Sequence, residues 1–233
     1  MNNSSSCIEL SDVSFRWPEQ KHNLLAINSL HIQSGESVFI HGASGSGKST
    51  LLNMLAGVIS PTSGEIKILN QTVNTQSQAQ RDQIRADHYG IIFQQFNLIP
   101  YLSVIENITL PLSFSSYKQR RTLSLSSNIN EQAIYLLESL GLDKDIASQN
   151  VTELSTGQQQ RTAAARAMMG SPEIIIADEP TSALDADTKH DFIELLFQET
   201  KKFNSTLIFV SHDQSLASQF DRAISINALK PIN

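Results

Sequence analysis

The sequence has very little of what marks a secreted or membrane-embedded protein. A single cysteine in 233 residues excludes an internal disulfide framework and fits a reducing compartment. No apolar run approaches the roughly 18 residues that a membrane helix needs, and the first six residues have neither the basic nor the apolar region of a signal peptide. With 40% hydrophobic residues and a mean hydropathy of -0.17, the chain is expected to be globular with a sizeable core.

Basic charge is also scarce. The chain has 17 Lys and Arg against 23 Asp and Glu, which gives a formal net charge of -6. This balance argues against a general nucleic-acid binder, so we expect no nucleic-acid partner. A short basic run, Lys118-Gln119-Arg120-Arg121, is expected to be a solvated face or loop, with a specific anionic partner as the alternative.

What the sequence does contain is a phosphate-binding pattern, Gly-x4-Gly-Lys-Ser. Its residues, called the phosphate loop below, are Gly42, Ala43, Ser44, Gly45, Ser46, Gly47, Lys48, Ser49 and Thr50. Apolar residues 38–40 predict a buried strand before the loop, and residues 51–56 predict a helix after it. A strand that enters a glycine-rich turn before a helix points unpaired N–H groups at one spot, where an anion is favoured. In this pattern Lys48 reaches the β- and γ-phosphates, and the Ser49 hydroxyl binds Mg²⁺.

The surrounding pattern predicts an α/β core with an inserted helical part. Strands are expected at residues 8–13, 24–32, 65–69, 91–93, 174–179 and 206–210, with a turn at 60–64 and a polar surface helix at 76–85. From Pro100 to about Asn150 the character changes to helices and polar linkers, including a capping box at Ser103 and Glu106. A helix with one apolar face ends at Gly141.

A second group of candidate residues follows two of these strands. Asp178 and Glu179 end an apolar strand at its carboxyl end, where ligands of open parallel sheets bind. Asp178 suits an outer-shell Mg²⁺ partner, and Glu179 suits a general base for water attacking a γ-phosphate. His212 ends the strand at 206–210 and could hydrogen-bond the γ-phosphate, although a lone histidine is more often structural.

Two further residues admit more than one interpretation. Gly157, at the start of a small-residue helix, offers backbone N–H groups and a positive dipole end as a second phosphate contact, although alone it is an ordinary helix start. Trp17, the single tryptophan, is placed either to stack on a nucleotide base or to pack half-buried. The sequence leaves these two alternatives open for Trp17.

Taken together, these segments resemble the nucleotide-binding subunit of ATP-binding cassette (ABC) transporters over nearly the whole chain. The matching segments are the phosphate loop, Gln94, the Leu-Ser-x-Gly-Gln signature at residues 154–158, the acidic strand at 174–179, residues 182–185, and His212. The implied fold is a P-loop NTPase (RecA-like) core with a β subdomain and an inserted α-helical subdomain. The implied division is residues 1–93 and 160–233 for the core and 94–159 for the helical subdomain.

The resemblance implies an ATPase that binds ATP and Mg²⁺ in a head-to-tail dimer of two copies. It implies the following roles for individual residues: adenine stacking by Trp17; Mg²⁺ binding by Ser49, Gln94 and Asp178; coupling to a membrane permease by Gln94; catalysis by Lys48, Glu179 and His212; contact with the partner's ATP by the signature residues Leu154, Ser155, Thr156, Gly157 and Gln158; and action across the dimer by Asp185. A cytoplasmic protein, peripheral on the inner membrane, is expected.

Within the family, residues 93–100 and 155–161 and the single-cassette length are similar to the lipoprotein-release and macrolide-efflux ATPases. Amino-acid importers share much of the pattern and remain an alternative. A soluble cassette ATPase of DNA repair or translation, or a small-molecule kinase with a phosphate loop, are further alternatives. Thr156 stands where the family usually has glycine. Because a β-branched residue tolerates fewer backbone conformations, we expect it to lower turnover without abolishing it.

Overall fold

The computed structural model describes residues 6–229, apart from the side chains of Ala186 and Asp187. The strands are β1 (Ser6–Phe15), β2 (Leu25–Gln33), β3 (Ser37–His41), β4 (Ser63–Ile68), β5 (Gln71–Thr72), β6 (Tyr89–Ile92), β7 (Ile174–Asp178), β8 (Thr206–Val210) and β9 (Arg222–Ser225). The α-helices are α1 (Lys48–Leu55), α2 (Gln78–His88), α3 (Val104–Thr109), α4 (Ser116–Leu125), α5 (Ile129–Ser139), α6 (Thr156–Met168) and α7 (Ala186–Lys202).

The chain folds as two compact units. One consists of the residues up to Arg85 together with those from Thr206 onward, and the other runs from Ala86 to Ser205. The subdomain boundaries expected from the sequence, 1–93 with 160–233 and 94–159, stay a prediction. Within residues 6–229, no helix combines the length and apolarity needed to cross a membrane.

The first unit contains an antiparallel sheet with strand order β2-β1-β4-β5. Strand β4 begins at Ser63, inside the segment predicted as a turn, so that part of the prediction is wrong. The reason lies in Gly64, which has a φ of +88° and lies against β1. A Cβ added to Gly64 would be 2.3 Å from the carbonyl oxygen of Asp12. This close approach lets the turn residue continue into the strand, which only glycine permits.

The first unit also contains three parallel strands in the order β8-β3-β9. Ile40 of β3 lies opposite Val210 of β8 and Ile224 of β9, and residues 38–40 are fully buried. Strands buried on both faces read as continuous apolar runs, which explains why β3 and β8 were recognisable from the sequence. The carboxyl ends of β3 and β8 therefore share one edge.

In the second unit, β6 and β7 pair in parallel, with Ile92 opposite Ala177. Helix α6 packs closely on β6, since a Cβ at Gly90 would lie 2.0 Å from the carbonyl oxygen of Ala167. The run of alanines in α6 is buried, so small side chains permit this short helix-to-strand distance. Strand β6 ends at Ile92, one residue before the predicted end, and Phe93 is exposed.

The helical part of the second unit confirms the local predictions. Ser103 and Glu106 form the predicted capping box of α3. The predicted apolar face of α5 is buried, and Gly141 follows that helix with a φ of +73°. Polar helix α2, which begins in the first unit, buries none of its residues, as expected for a surface helix.

The basic run at 118–121 is not the solvated face or loop that the sequence predicted. It lies in α4, where Lys118 is only 3% exposed and donates from Nζ to the Tyr89 carbonyl oxygen at 2.6 Å. Burial lowers the pKa of Lys118 to about 8. Arg121 forms an ion pair with Glu173. Two of the three basic side chains thus act inside the unit, which removes most of the charge available to an external anion.

Candidate functional site

The phosphate loop leaves β3 after His41 and enters α1 at Lys48, as the sequence predicts. Gly47 occupies the N-cap position with a φ of +107°, in the left-handed region that favours glycine. It contributes no side-chain cap, so the first N–H groups of α1 lack the hydroxyl or carboxylate partner that helix starts commonly have. A Cβ added to Gly45 would meet nothing within 4 Å. These features leave the helix start open to an anion.

The side chains of the phosphate loop differ in their exposure and in their hydrogen-bond partners. Lys48 Nζ donates to the carbonyl oxygens of Gly42 at 2.8 Å and Ala43 at 3.2 Å, so its ammonium group lies over the loop. Ser46 is 5% exposed, and its hydroxyl has no hydrogen-bond partner among the described residues. Ser49 is exposed at the first turn of α1, whereas Thr50 is buried. A cationic group, an orphan hydroxyl and an uncapped helix start together fit a polyphosphate.

His212 lies at the same edge as the phosphate loop. It follows β8 by two residues and is exposed, and the preceding Ser211 donates from its N–H to the Ile40 carbonyl oxygen at 3.2 Å. Trp17 lies after β1, is 42% exposed, and contacts Phe15 edge-on at a centroid distance of 4.9 Å. Trp17 thus combines a packed edge with a solvent-exposed part, so both interpretations of it remain.

In the second unit, the parallel pairing of β6 and β7 brings Gln94, Asp178 and Glu179 to one edge, called the acidic edge below. Gln94 follows β6 by two residues and is exposed, while Asp178 ends β7. Glu179 adopts a φ of +47°, an uncommon conformation for a non-glycine residue that often marks functional sites. Amide and carboxylate oxygens are ligands that Mg²⁺ accepts. The donor set of Gln94 and Asp178 therefore fits that ion chemically.

The signature residues 154–158 form the start of α6. Leu154 is buried, and Ser155 is the N-cap, whose Oγ accepts from the Gln158 N–H at 3.3 Å. In return, Gln158 Oε1 accepts from the Ser155 N–H at 2.9 Å, which completes a capping box. Thr156 is exposed and is not among the residues with positive φ. Threonine therefore adopts this backbone conformation without strain.

Residues 182–185 form the turn between β7 and α7, as predicted. Asp185 is the N-cap of α7, and its Oδ1 accepts from the Thr188 N–H at 2.9 Å. This turn lies beside the signature segment, since a Cβ at Gly157 would be 3.7 Å from Thr188 and 4.0 Å from Leu184. Gly157 thus lies beside the turn that carries Asp185.

Sequence reasoning missed two buried side chains of α6. Gln160 donates from Nε2 to the Pro180 carbonyl oxygen, and Arg166 donates to the carbonyl oxygens of Phe96 and Asn97, both at 2.6 Å. The available signal was a glutamine and an arginine in a helix whose other buried residues are mostly small. Their partners lie 20 and about 70 residues away in the chain, so the pattern could not identify the contacts.

Comparison with known proteins identifies the family. A family model described as ABC transporter matches residues 25–182. YtrE of Bacillus subtilis, an ABC transporter ATP-binding protein, is 42% identical over 82% of this chain and 79% of its own length. A macrolide export ATP-binding/permease protein, MacB of Burkholderia thailandensis, is 39% identical over 94% of this chain. This chain spans only 33% of that MacB relative's length.

Solved structures agree with the sequence comparison. The ATP-binding cassette MJ0796 in a dimeric post-hydrolysis state bound to ADP and Pi matches with a TM-score of 0.79 and 37% identity, covering 96% of this chain and 94% of that one. CbiO1 of Clostridium perfringens has a TM-score of 0.80 at 24% identity over 94% of this chain and 84% of its own, which supports the fold. The chain belongs to the ABC transporter family and is an ATP-binding ATPase with the P-loop fold of that family. The predicted fold class is confirmed, and the small-molecule kinase alternative is wrong.

Proposed function

We propose that this chain powers a separate inner-membrane permease by ATP-driven closure of a dimer of two copies. The observation that carries the proposal is the uncapped start of α1 with Lys48 over the phosphate loop, in a chain of the ABC transporter family. The MacB relative, a macrolide export protein, supports export. The resemblance of residues 93–100 and 155–161 supports the lipoprotein-release and macrolide-efflux type, which includes force transmission. The site of action is then the cytoplasmic face of the inner membrane.

The first step is capture of the nucleotide. Backbone N–H groups at the start of α1 and the Lys48 ammonium hold the β- and γ-phosphates, because both present positive charge at the same loop. Trp17 stacks on the adenine ring through its exposed part. The oxygens of Ser49, Gln94 and Asp178 would hold Mg²⁺. When bound, that ion neutralises charge on the phosphates.

Glu179 then acts as the general base. Its carboxylate orients a water molecule and accepts its proton as the water attacks the γ-phosphate. The position after β7, in a left-handed backbone conformation, turns this residue away from the strand direction. His212 donates a hydrogen bond to the γ-phosphate and is positioned by the strand edge that also carries the phosphate loop.

The signature segment supplies the other half of a composite site. We assign Ser155 and Gly157 to the γ-phosphate held by the partner copy, with the rest of residues 154–158 as their support, and Asp185 to the same interface. The exposed hydroxyl of Ser155 and the nearness of Gly157 to the turn that carries Asp185 support this assignment. The dimeric structures of MJ0796 support the twofold arrangement.

The permease is proposed to dock beside Gln94. An open groove of about 310 Å³ begins at the residue after Gln94. Two segments of the second unit line it, with the residues Gln95, Phe96, Asn97, Leu98, Pro100, Val151, Thr152 and Gln159. Tyr101, next to the groove lining in the chain, is 80% exposed. Aromatic side chains are enriched at protein contacts relative to the rest of the surface. A partner bound in this groove would contact the segment that directly follows Gln94 and would thereby be coupled to that residue.

Two experiments test the function. Glu179→Gln should keep ATP binding, trap an ATP-bound dimer and lose hydrolysis by a factor of at least about 100; hydrolysis at the parent rate contradicts the base assignment. Purification of the full chain from detergent-solubilised membranes tests the partner. A co-purifying permease supports transport, whereas ribosomes or DNA ends would instead support the soluble alternative.

A further inference from the structure

Helix α6 lies between two turns with uncommon backbone conformations. Phe96 and Asn97 have φ values of +58° and +49°, and they follow Gln94 closely. Glu179 has a φ of +47° and precedes Pro180, whose ring further restricts the residue before it. Residues other than glycine rarely adopt this left-handed backbone region unless surrounding contacts hold them there. Both turns therefore require external support.

Gln160 supports the turn after β7. It is fully buried in α6, and its Nε2 donates to the Pro180 carbonyl oxygen, one residue beyond Glu179. Its other polar atom, Oε1, is buried without a hydrogen-bond partner among the described residues. A buried unpaired amide oxygen opposes folding, and an apolar side chain of similar size would avoid it. The presence of glutamine here is explained by the geometry of the turn it holds.

Arg166 supports the turn after β6. It lies six residues further along α6, is 8% exposed, and donates from two nitrogens to the Phe96 and Asn97 carbonyl oxygens. A planar guanidinium group holds the two carbonyls from two separate nitrogens in a fixed geometry, whereas a lysine would have to bond both from a single nitrogen. The two turns are thus tied by side chains to one helix, and that helix begins with the signature segment.

We propose that Gln160 and Arg166 are positioning residues through which α6 sets the placement of Glu179 and Gln94 together. This inference rests on the proposed roles of those two residues in hydrolysis. A displacement of the signature end of α6 moves both turns, because each is hydrogen-bonded to the same rigid helix. Engagement of Ser155 with the partner's nucleotide is thereby communicated to the acidic edge through buried contacts.

The first test is Gln160→Met in the full chain, which keeps the side-chain volume and removes the donor. We expect kcat for ATP hydrolysis to fall by about tenfold or more, since a small displacement of a catalytic group has large effects. The KM for ATP should change less than about twofold, because the phosphate loop is untouched. Thr162→Val is the matched control, because Thr162 is also fully buried in α6, but its hydroxyl bonds the Gln158 carbonyl oxygen of its own helix rather than a distant turn.

A double-mutant cycle separates positioning from a loss of stability. If Gln160 acts through Glu179, then Gln160→Met should add little to the defect of Glu179→Gln in single-turnover hydrolysis. The inference is overturned if the rate defects of the two single variants multiply in the double variant. It is also overturned if Gln160→Met has the kcat of the parent. Hydrolysis by Glu179→Gln at the parent rate would instead refute the proposed base, so the two failures are distinguishable.

The second test uses Arg166→Lys, which keeps the charge but replaces the two guanidinium nitrogens that bond the turn with a single ammonium nitrogen. We expect amide hydrogen exchange in residues 93–98 to accelerate by about tenfold or more, with exchange in the phosphate loop unchanged. Thr162→Val should leave both segments unchanged. Equal acceleration throughout the chain, or none at residues 93–98, overturns the positioning role of Arg166.

Discussion

Helices α1 and α6 both begin at a glycine-containing motif, but they satisfy their first N–H groups differently. At α1, Gly47 provides no cap, and the Lys48 ammonium group lies over the preceding loop. At α6, Ser155 and Gln158 form a reciprocal capping box, and the segment contacts the turn that leads into α7. The first start is open to an anion from solution, while the second is already ordered by its own side chains.

Under the proposed function, this difference lets the first motif hold phosphates by itself, whereas the second motif completes a site held by the partner copy. The phosphate loop offers unpaired donors and a cation, which are sufficient to hold phosphates. The signature segment offers a pre-ordered surface with an exposed hydroxyl, which is suited to complete a site formed elsewhere. The proposal of a composite site between two copies follows from this contrast and from the dimeric relatives.

The largest expected effect comes from removing the cation of the open helix start. Lys48→Ala should lower ATP hydrolysis at least about 100-fold, because no other group on the loop supplies a full positive charge to the phosphates. Nucleotide binding to the isolated chain, measured by calorimetry, should weaken in parallel. Lys67→Ala, a change of a surface lysine on β4, is the control. Unchanged nucleotide affinity for Lys48→Ala would contradict the assignment.

The unit that carries α6 should also be the more sensitive to acid. Burial alone would raise the pKa of Glu173, but hydrogen bonds from His88 and Tyr117 and the charge of Arg121 lower it to about 2. A carboxylate with a lowered folded-state pKa stabilises the protein above its ordinary value of 4.5, and the stabilisation is lost as the pH falls from 4.5 towards 2. The shift corresponds to about 2 to 3 kcal/mol after allowance for partial exposure.

Glu173→Gln should therefore reduce the free energy of unfolding at pH 7 by that amount and flatten its dependence on pH below 4.5. Chemical denaturation at several pH values measures both. The exposed Glu138→Gln on α5 matches the charge change and should have little effect. A parallel pH dependence in Glu173→Gln and the parent would show that the ion cluster does not stabilise the fold.

Ser155 allows the cap to be separated from the proposed phosphate contact. Ser155→Asp keeps a good N-cap, so stability should change by less than about 0.5 kcal/mol, whereas its negative charge should lower hydrolysis at least about tenfold by repelling the partner's γ-phosphate. Ser155→Ala should lower stability by about 1 kcal/mol through loss of the cap. Thermal unfolding and ATPase assays distinguish these effects. Normal turnover in Ser155→Asp would remove Ser155 from the composite site.

The smallest effect is expected at Thr156. The position has no positive φ, so glycine is not required there, and Thr156→Gly should raise ATPase activity of the assembled complex only about two- to threefold. Glycine at a helix position should also lower stability by up to about 1 kcal/mol. Steady-state ATPase rates in the permease complex provide the measurement. Unchanged activity would mean that the threonine does not weaken the signature segment.

The sequence predicted most of the features that depend on local pattern. Buried strands β3, β7 and β8 are continuous apolar runs, and the capping boxes at Ser103 and Ser155 have fixed spacings, although only the first was recognised as a capping box. Features that depend on distant partners could not be predicted. Lys118 looked like part of a solvated basic run because its partner, the Tyr89 carbonyl oxygen, is 29 residues away.

In the candidate site, too, features set by the local sequence could be predicted and features set by distant partners could not. The bounds of the phosphate loop could be predicted, because its pattern is contained in nine consecutive residues, and its binding role stays a prediction. The left-handed conformation of Glu179 and the contacts of Gln160 and Arg166 were not predicted. They arise from packing between α6 and turns far apart in the chain, and a single sequence carries no spacing that reveals such contacts.

The most direct test of the composite site mixes two variants with impaired hydrolysis, Lys48→Ala and Ser155→Asp. In a mixed dimer one site carries both defects, and the other combines an intact phosphate loop with an intact signature segment. An equal mixture that exchanges subunits freely should regain up to about a quarter of the parent ATPase activity, because about half of the dimers are mixed and each has one intact site. Activity of the mixture no higher than that of either variant alone would contradict the account.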